Sequence, residues 1–420
     1  MSDPETFAAF VGIDWAHRKH DVCLQSADSN RVEHRVLPHT PESIDAWARE
    51  LGTRFEHRPI AVCLELTKGP IVSALQKHDF FVLFPVNPAA LANYRETWSP
   101  SGKKDDPTDA ALALEMVIKH RDRLRELRPQ SATMRALSQL VEDRRKLVAE
   151  RTRLTNRITD GLKAYFPQSL QWFSDIGTVL FCDFIERWPT LEQAKKARAE
   201  TLRNFFHEHR VRGRQRIDQR IEDIKNAVVL TTDQGVVLPA LLRVRTLVAA
   251  LRPMLDSIES YDTEIERLST AHEDYALFAS LPGAGDTFAP RLLVALGEDR
   301  SRFTTAQQLQ RYAGIAPVTE QSGNSRWVHW RWACPTFLRQ SFVEWAAQTI
   351  PLSYWAGAFF AEQRRRGASH QSALRALAFK WARILFRCWQ DRVPYDEAKY
   401  LKALQKRRSP LLRAAANSIA

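Results

Sequence analysis

Four carboxylates in this chain stand at positions that metal-assisted phosphoryl chemistry can use. Asp14 ends the run Phe10-Val-Gly-Ile-Asp14, Glu65 ends Ile60-Ala-Val-Cys-Leu-Glu65, and Asp106 and Asp109 lie three apart in Gly-Lys-Lys-Asp-Asp-Pro-Thr-Asp-Ala (102–110). A phosphodiester is attacked most readily where one or two Mg2+ (or Mn2+) ions, held by converging oxygen ligands, activate the nucleophile and stabilise the leaving oxygen. Converging carboxylates repel one another, so such a cluster is costly without a cation. The same residues have ordinary uses. An aspartate cap, a proline and an acid in the first turn open many helices, and acids at strand ends often face water. Asp105 competes with Asp106, and spacing alone does not separate the two.

The elements that must position these acids are readable from hydropathy. Phe10–Asp14 and Asp21–Gln25 predict two strands joined by a hairpin through Ala16 to His20, with Arg31–Leu37 as a third. Ile44, Trp47 and Leu51 recur at helical spacing within a helix from Pro41 to about Phe55. Ile60–Glu65 and Phe80–Val86 predict buried strands flanking a helix from Gly69 to His78, and Asp106 with Pro107 opens the last helix. Three antiparallel-type strands followed by alternating helix and strand is the order of a ribonuclease H-like fold, with one acid on the central strand, one ending the fourth strand and two on a terminal helix. Lys103 and Lys104, just ahead of that helix, suit phosphate contact.

At 420 residues the chain has room for two to four domains. Its 61 Lys+Arg against 49 Asp+Glu give a net charge of +12, which favours a polyanionic partner such as nucleic acid over an acidic small molecule. Five cysteines without a CxxC spacing indicate neither a zinc site nor a disulfide framework, and a reducing cytoplasm is expected. The acidic start of the chain and the lack of an apolar run near 18 residues predict no targeting segment and no membrane partner.

From Met134 the chain turns helical and basic. Leu137, Leu140, Leu147, Leu154 and Ile158 keep a three/four spacing that Arg144 and Arg151 interrupt, and Val244 to Leu268 keep a cleaner one, in which Pro253 either kinks the helix or marks its start. These helices predict a coiled coil or the core of a bundle, paired within one chain or between two. Arg210, Arg212, Arg214, Arg216 and Arg220 form a dense basic run between them, suited to phosphate. Leu281-Pro-Gly-Ala-Gly285 ahead of an apolar helical stretch resembles the turn of a helix-hairpin-helix, where Gly283 and Gly285 let backbone N–H groups approach phosphate. Ser322-Gly323-Asn324-Ser325 is predicted to lie in a polar loop before Arg326-Trp-Val-His-Trp-Arg-Trp332. There Trp327, Trp330 and Trp332, interleaved with Arg326 and Arg331, either stack on bases or form an aromatic core beneath a basic rim. Helices follow at Phe337–Ile350 and around Leu374–Leu385, ahead of a basic tail.

Val11-Gly-Ile-Asp14, Leu64-Glu65, Lys104-x-Asp106-x-x-Asp109-Ala110, Leu281-Pro-Gly-Ala-Gly285 and Tyr312-Ala-Gly-Ile-Ala-Pro-Val-Thr-Glu-Gln-Ser-Gly323 together resemble the DEDD transposases of the insertion sequence 110 family. The resemblance implies a RuvC-like α/β catalytic domain (1–125), a helical coiled-coil region (126–275), a mainly helical transposase domain (276–362) and a basic helical extension (363–420). It selects Asp106 over Asp105, makes Asp14, Glu65, Asp106 and Asp109 the metal-binding tetrad, and assigns the nucleophile to Ser322, with Ser325 three residues on as a rival. It further implies DNA as substrate and a structured noncoding guide RNA; strand exchange, which needs several active sites at once, predicts a homo-oligomer, dimer or tetramer. The reading is a recombinase in which Ser322 attacks a phosphodiester to give a covalent protein–DNA link. The alternatives are a RuvC-like nuclease that hydrolyses branched DNA with a metal-bound water, and a non-catalytic nucleic-acid scaffold that keeps the fold.

Overall fold

The computed structural model describes residues 7–98, 106–331 and 334–409 and forms two compact units, residues 1–129 and 130–420. In the first unit, strands β1 (Ala9–Trp15), β2 (Lys19–Ser26), β3 (Val32–Pro38), β4 (Ile60–Leu64) and β5 (Phe81–Pro85) make one mixed sheet in the order β3-β2-β1-β4-β5. β1 to β3 pair antiparallel; β1, β4 and β5 pair parallel. β1 and β4 read as continuous apolar runs because both faces are covered. On one face Val11, Ile13, Val62 and Leu64 pack with Trp47 and Leu51 of α1 (Pro41–Arg54) and with Ile71 and Leu75 of α2 (Pro70–Leu75). The Thr40 hydroxyl caps α1, accepting from the Ser43 N–H at 3.2 Å, and Pro41 takes the first helical position. On the other face Cys23, Ala61, Cys63 and Phe84 pack with Ala110, Ala113, Leu114 and Val117 of α4 (Asp106–Lys119), which follows α3 (Pro88–Trp98). α3 was not expected from the sequence. Its start carries a signal that could have found it: the Asn87 side chain accepts from the Ala89 N–H at 2.8 Å, and Pro88 opens the helix.

Among its described residues the second unit is helical apart from one hairpin. It begins with α5 (Ala132–Tyr165), continues through α6 (Ser169–Trp172), α7 (Val179–Arg187), α8 (Leu191–Lys196), α9 (Ala199–Glu208) and α10 (Arg214–Asn226), and returns along α11 (Gln234–Thr270). Arg144 near the start of α5 pairs with Asp262 near the end of α11, while Asp160 near the end of α5 pairs with Arg243 near the start of α11. The two long helices are therefore antiparallel neighbours within one chain. α11 begins ten residues before Val244 and runs through both Pro239 and Pro253, so Pro253 does not mark its start.

An aromatic core of Phe166, Phe181, Phe184 and Phe206 fills the space between α5, α7, α9 and α11. A second core joins Met134, Leu137 and Ile265 at the other end of the long pair to α12 (Tyr275–Ala279), α13 (Gly285–Leu296), α14 (Ala306–Tyr312), α15 (Thr336–Thr349), α16 (Tyr354–Arg365), α17 (His370–Asp391) and α18 (Glu397–Lys406). Phe342, Trp345, Trp355 and Trp381 lie fully buried in it, so residues on both sides of 275/276 and 362/363 share one core. Among the described helices, α11 alone is long and apolar enough to cross a membrane, against the expectation that no such run exists. Its Val244, Leu247, Val248 and Leu251 face the aromatic core, while Val236, Leu238 and Leu242 are exposed.

Candidate active site

β1 and β4 are parallel neighbours with Ile13 opposite Leu64, so Asp14 and Glu65 follow the last paired residues at the same end of the two central strands. Antiparallel pairing sets Asp14 directly opposite Asp21 of β2, and directly opposed residues share a face. That face is the one α4 covers. α4 crosses β1 at Gly12, where a Cβ would lie 2.1 Å from the Ala110 carbonyl oxygen and 2.3 Å from the Leu114 nitrogen. Gly12 is thus required for space: no side chain fits between the sheet and the helix that carries Asp106 and Asp109. The Cys23 thiol, opposite Gly12, reaches the Pro107 carbonyl at 3.9 Å and stands 3.1 Å from His34 Nδ1. Burial pushes that thiol up to about 11 and the Cys63 thiol up to about 12, so both remain neutral.

Asp109 is 5% exposed and bound to Arg95 of α3, whose Nε and Nη2 both donate to its Oδ1, at 2.7 and 2.5 Å. Arg95 is therefore a site residue that the sequence reading missed. Among the described residues, no group of three or more His, Cys, Asp or Glu stands close enough to hold a metal ion. The Asp106 side chain lies outside the described residues, as do Lys103, Lys104 and Asp105. The described part thus sets Asp14 and Asp21 on one face, puts Glu65 at the same end of the sheet, lays the Asp109 helix on that face, and gives Asp109 a guanidinium partner. The donor set still suits a hard divalent cation, being all carboxylate.

In the second unit Ser322 does not lie in a loop. β6 (Pro317–Ser322) and β7 (Ser325–Trp330) pair antiparallel as a hairpin, Ser322 opposite Ser325, closed by the two residues Gly323 and Asn324. Gly323 has a φ of 54°, the left-handed value that a two-residue turn demands and glycine supplies without strain. Both strands are largely exposed, so they lack the burial alternation by which a strand is recognised in sequence. Ser322 is exposed at the tip. Trp327 is 58% exposed, which excludes the aromatic-core reading for it. Arg326 is exposed on the same strand, while Arg331, directly after it, is half-buried. The Trp330 side chain and Trp332 lie outside the described residues.

The remaining basic candidates divide by environment. Arg144 makes a two-pronged pair with Asp262, its Nη2 donating at 2.9 Å, and Arg151 stands 3.8 Å from Asp175. Arg212 and Arg214 are exposed around the start of α10. Arg220, two turns on, lies over the rings of Phe173 and Phe206 at 5.2 and 5.1 Å, and burial lowers its pKa. The turn between α12 and α13 gives Gly283 and Gly285 φ values of 69° and 46°. A Cβ on Gly283 would meet the Gln348 backbone at 3.0 Å, so this glycine admits α15; nothing approaches Gly285 within 4 Å.

Acids at one end of such a sheet, joined in the same chain to a basic helical region, suit a protein that acts on a polyanion. Residues 11–167 match a transposase family model of the DEDD, IS110 type, and residues 275–361 match the model described as transposase of the IS116/IS110/IS902 family. The chain belongs to that family of transposases. It is 29% identical over 427 residues, covering 98% of this chain and 99% of the relative, to the mini-circle putative transposase for IS117 of Streptomyces coelicolor. Over 209 residues, 48% of this chain and 57% of the relative, it is 32% identical to the putative transposase y4uE of Sinorhizobium fredii. A shorter stretch of 79 residues, 18% of this chain and 24% of the relative, is 40% identical to the pilin gene-inverting protein of Moraxella bovis.

Proposed function

We propose that this transposase cuts and rejoins the strands of a mobile element through a covalent serine–DNA intermediate. The Ser322 hydroxyl attacks a phosphodiester: a new O–P bond forms at Oγ as the bond from phosphorus to the leaving deoxyribose oxygen breaks, and the serine proton passes to the leaving side. The ester keeps the energy of the original bond, so a second DNA hydroxyl can displace Ser322 without an external energy source. Mg2+ (or Mn2+) at Asp14, Glu65, Asp106 and Asp109 supplies Lewis-acid activation of the phosphodiester when bound. Arg95 holds the Asp109 carboxylate in place, and α4, seated on Gly12, fixes its height above the sheet. Arg212, Arg214, Arg326 and Trp327 contact nucleic acid, as their exposure permits. A structured noncoding RNA as guide rests on the family resemblance, and a dimeric or tetrameric assembly on the need of strand exchange for several active sites at once.

The observation that carries this reading is the exposed seryl hydroxyl at the tip of a glycine hairpin, in a chain of a transposase family. Purified protein incubated with end-labelled DNA and divalent cation tests it. A denaturant-resistant protein–DNA adduct is expected, lost in Ser322→Ala and kept in Ser325→Ala. Normal cleavage by Ser322→Ala without an adduct would assign the chain to hydrolytic, RuvC-like nucleases. Full activity in Asp14→Asn and Asp109→Asn would remove the metal-site half.

A further inference from the structure

The hairpin that ends in Ser322 has two chemically different faces. Register puts Val318, Glu320 and Ser322 of β6 on one face with Ser325, Trp327 and His329 of β7, and leaves Thr319, Gln321, Arg326 and Val328 on the other. On the serine face Trp327 is stacked on His329, with ring centroids 4.4 Å apart and planes inclined by 30°. His329 is itself held, its Nε2 lying 2.8 Å from Glu320 Oε1 of the facing strand, and its side chain is only 12% exposed. The indole is thus a braced plane that remains more than half open to solvent. Leaving so large an apolar ring in water forgoes burial that a core position would give. A ring in that state suits a partner that offers a flat apolar surface. An unpaired nucleobase does so, whereas Arg326, the residue before Trp327, is exposed on the hairpin's other face. Trp327 faces Glu320, which precedes Ser322 by two residues, so the ring sits about 7 Å along the strand from the hydroxyl.

We propose that Trp327 is a stacking platform for an unpaired DNA base beside the phosphodiester that Ser322 attacks. Trp327 is then a positioning residue: it aligns the phosphate with the hydroxyl and selects strands whose base at that place is unstacked from its neighbours. His329 and Glu320 hold the indole against the hairpin.

The inference rests on the assignment of Ser322 as nucleophile, and its test is built to fail separately. Full-length Ser322→Ala protein, which cannot form an adduct, is titrated against a single-stranded oligodeoxynucleotide carrying 2-aminopurine, and against the matched duplex and an RNA of the same sequence. Quenching of 2-aminopurine is expected with the single strand. Adding Trp327→Ala should abolish it and weaken single-strand binding by about 5- to 150-fold, the range for one base–aromatic stack. Trp327→Phe should keep most of both, and Glu320→Gln should lower quenching with little change in duplex affinity. Equal weakening for single strand and duplex, undiminished quenching in Trp327→Ala, or a preference for the RNA would overturn the proposal. In chains that keep Ser322, the adduct yield should fall in Trp327→Ala and recover in Trp327→Phe. If quenching behaves as stated but no serine adduct forms in any chain, the nucleophile assignment fails while the platform stands.

Discussion

Gly12→Ala offers the sharpest test of how the acidic face is assembled. The new Cβ would stand 2.1 Å from the Ala110 carbonyl oxygen, 2.3 Å from the Leu114 nitrogen and 2.9 Å from the Leu114 Cα. All three are backbone atoms of α4, so no rotamer change relieves the overlap, and Ala110→Gly does not rescue it. Ordinary contact begins near 3.4 Å, so the helix must lift by about 1.3 Å where it crosses β1. Lifting strips Ala110, Ala113, Leu114 and Val117 from their packing against Cys23, Ala61 and Cys63. Overpacking of a tight core costs about 1–3 kcal/mol, and a backbone-to-backbone overlap of this depth belongs at the upper end, about 3 kcal/mol. For a unit of this size that lowers the melting temperature by about 10 °C. Asp106 and Asp109 ride on the displaced helix, and a displacement of about 1 Å at reacting groups costs about 100-fold in rate. Thermal melting by circular dichroism reads the first effect, and adduct yield below the variant's melting point reads the second. A Gly12→Ala protein that melts within 2 °C of the parent would refute the packing argument; one that melts early yet reacts at the parental rate would refute the link from helix height to chemistry.

Other outcomes follow from the same unit. Arg95→Ala strands the buried Asp109 carboxylate, so a destabilisation of about 3 kcal/mol is expected in chelator, with magnesium raising the melting temperature more in the variant than in the parent; equal magnesium shifts would show that Asp109 meets no cation. Burial, reinforced by neighbouring His39 and opposed by Asp21, holds the His20 pKa down at about 4, against 6.5 for an exposed imidazole. The unfolded chain therefore binds the extra proton between those values, so stability is full above pH 6.5 and is lost as the pH falls toward 4. Going from pH 7 to pH 5 should remove about 2 kcal/mol from the first unit, and His20→Gln should flatten that slope in denaturant titrations. An unchanged slope in the variant would assign the acid sensitivity elsewhere.

What the sequence by itself determined was local. Strands β1, β4 and β5 of the first unit could be placed because the buried runs around Ile13, Val62 and Leu83 are uniformly apolar, and α1 because Ile44, Trp47 and Leu51 repeat at helical spacing. The positions of Asp14, Glu65 and Asp109 on or beside those elements follow from the same pattern, as does the helical, basic character of the rest, whereas Asp106 is preferred to Asp105 only by the family resemblance. The tertiary structure alone decided which groups meet. Arg95 finds Asp109 because α3 and α4 pack together, and no hydropathy period encodes that pairing. Gly12 carries no unusual backbone angle, so its necessity is visible only once α4 lies against it. The hairpin under Ser322 is exposed on both faces, and a strand without a buried side leaves no alternation to read. α5 and α11 each announce a long helix, yet that they fold back on one another shows only in contacts such as Arg144 with Asp262, more than a hundred residues apart. Periodicity reports what one element buries; it does not name the partner, because burial is non-directional and the partner is chosen by shape and charge across the fold.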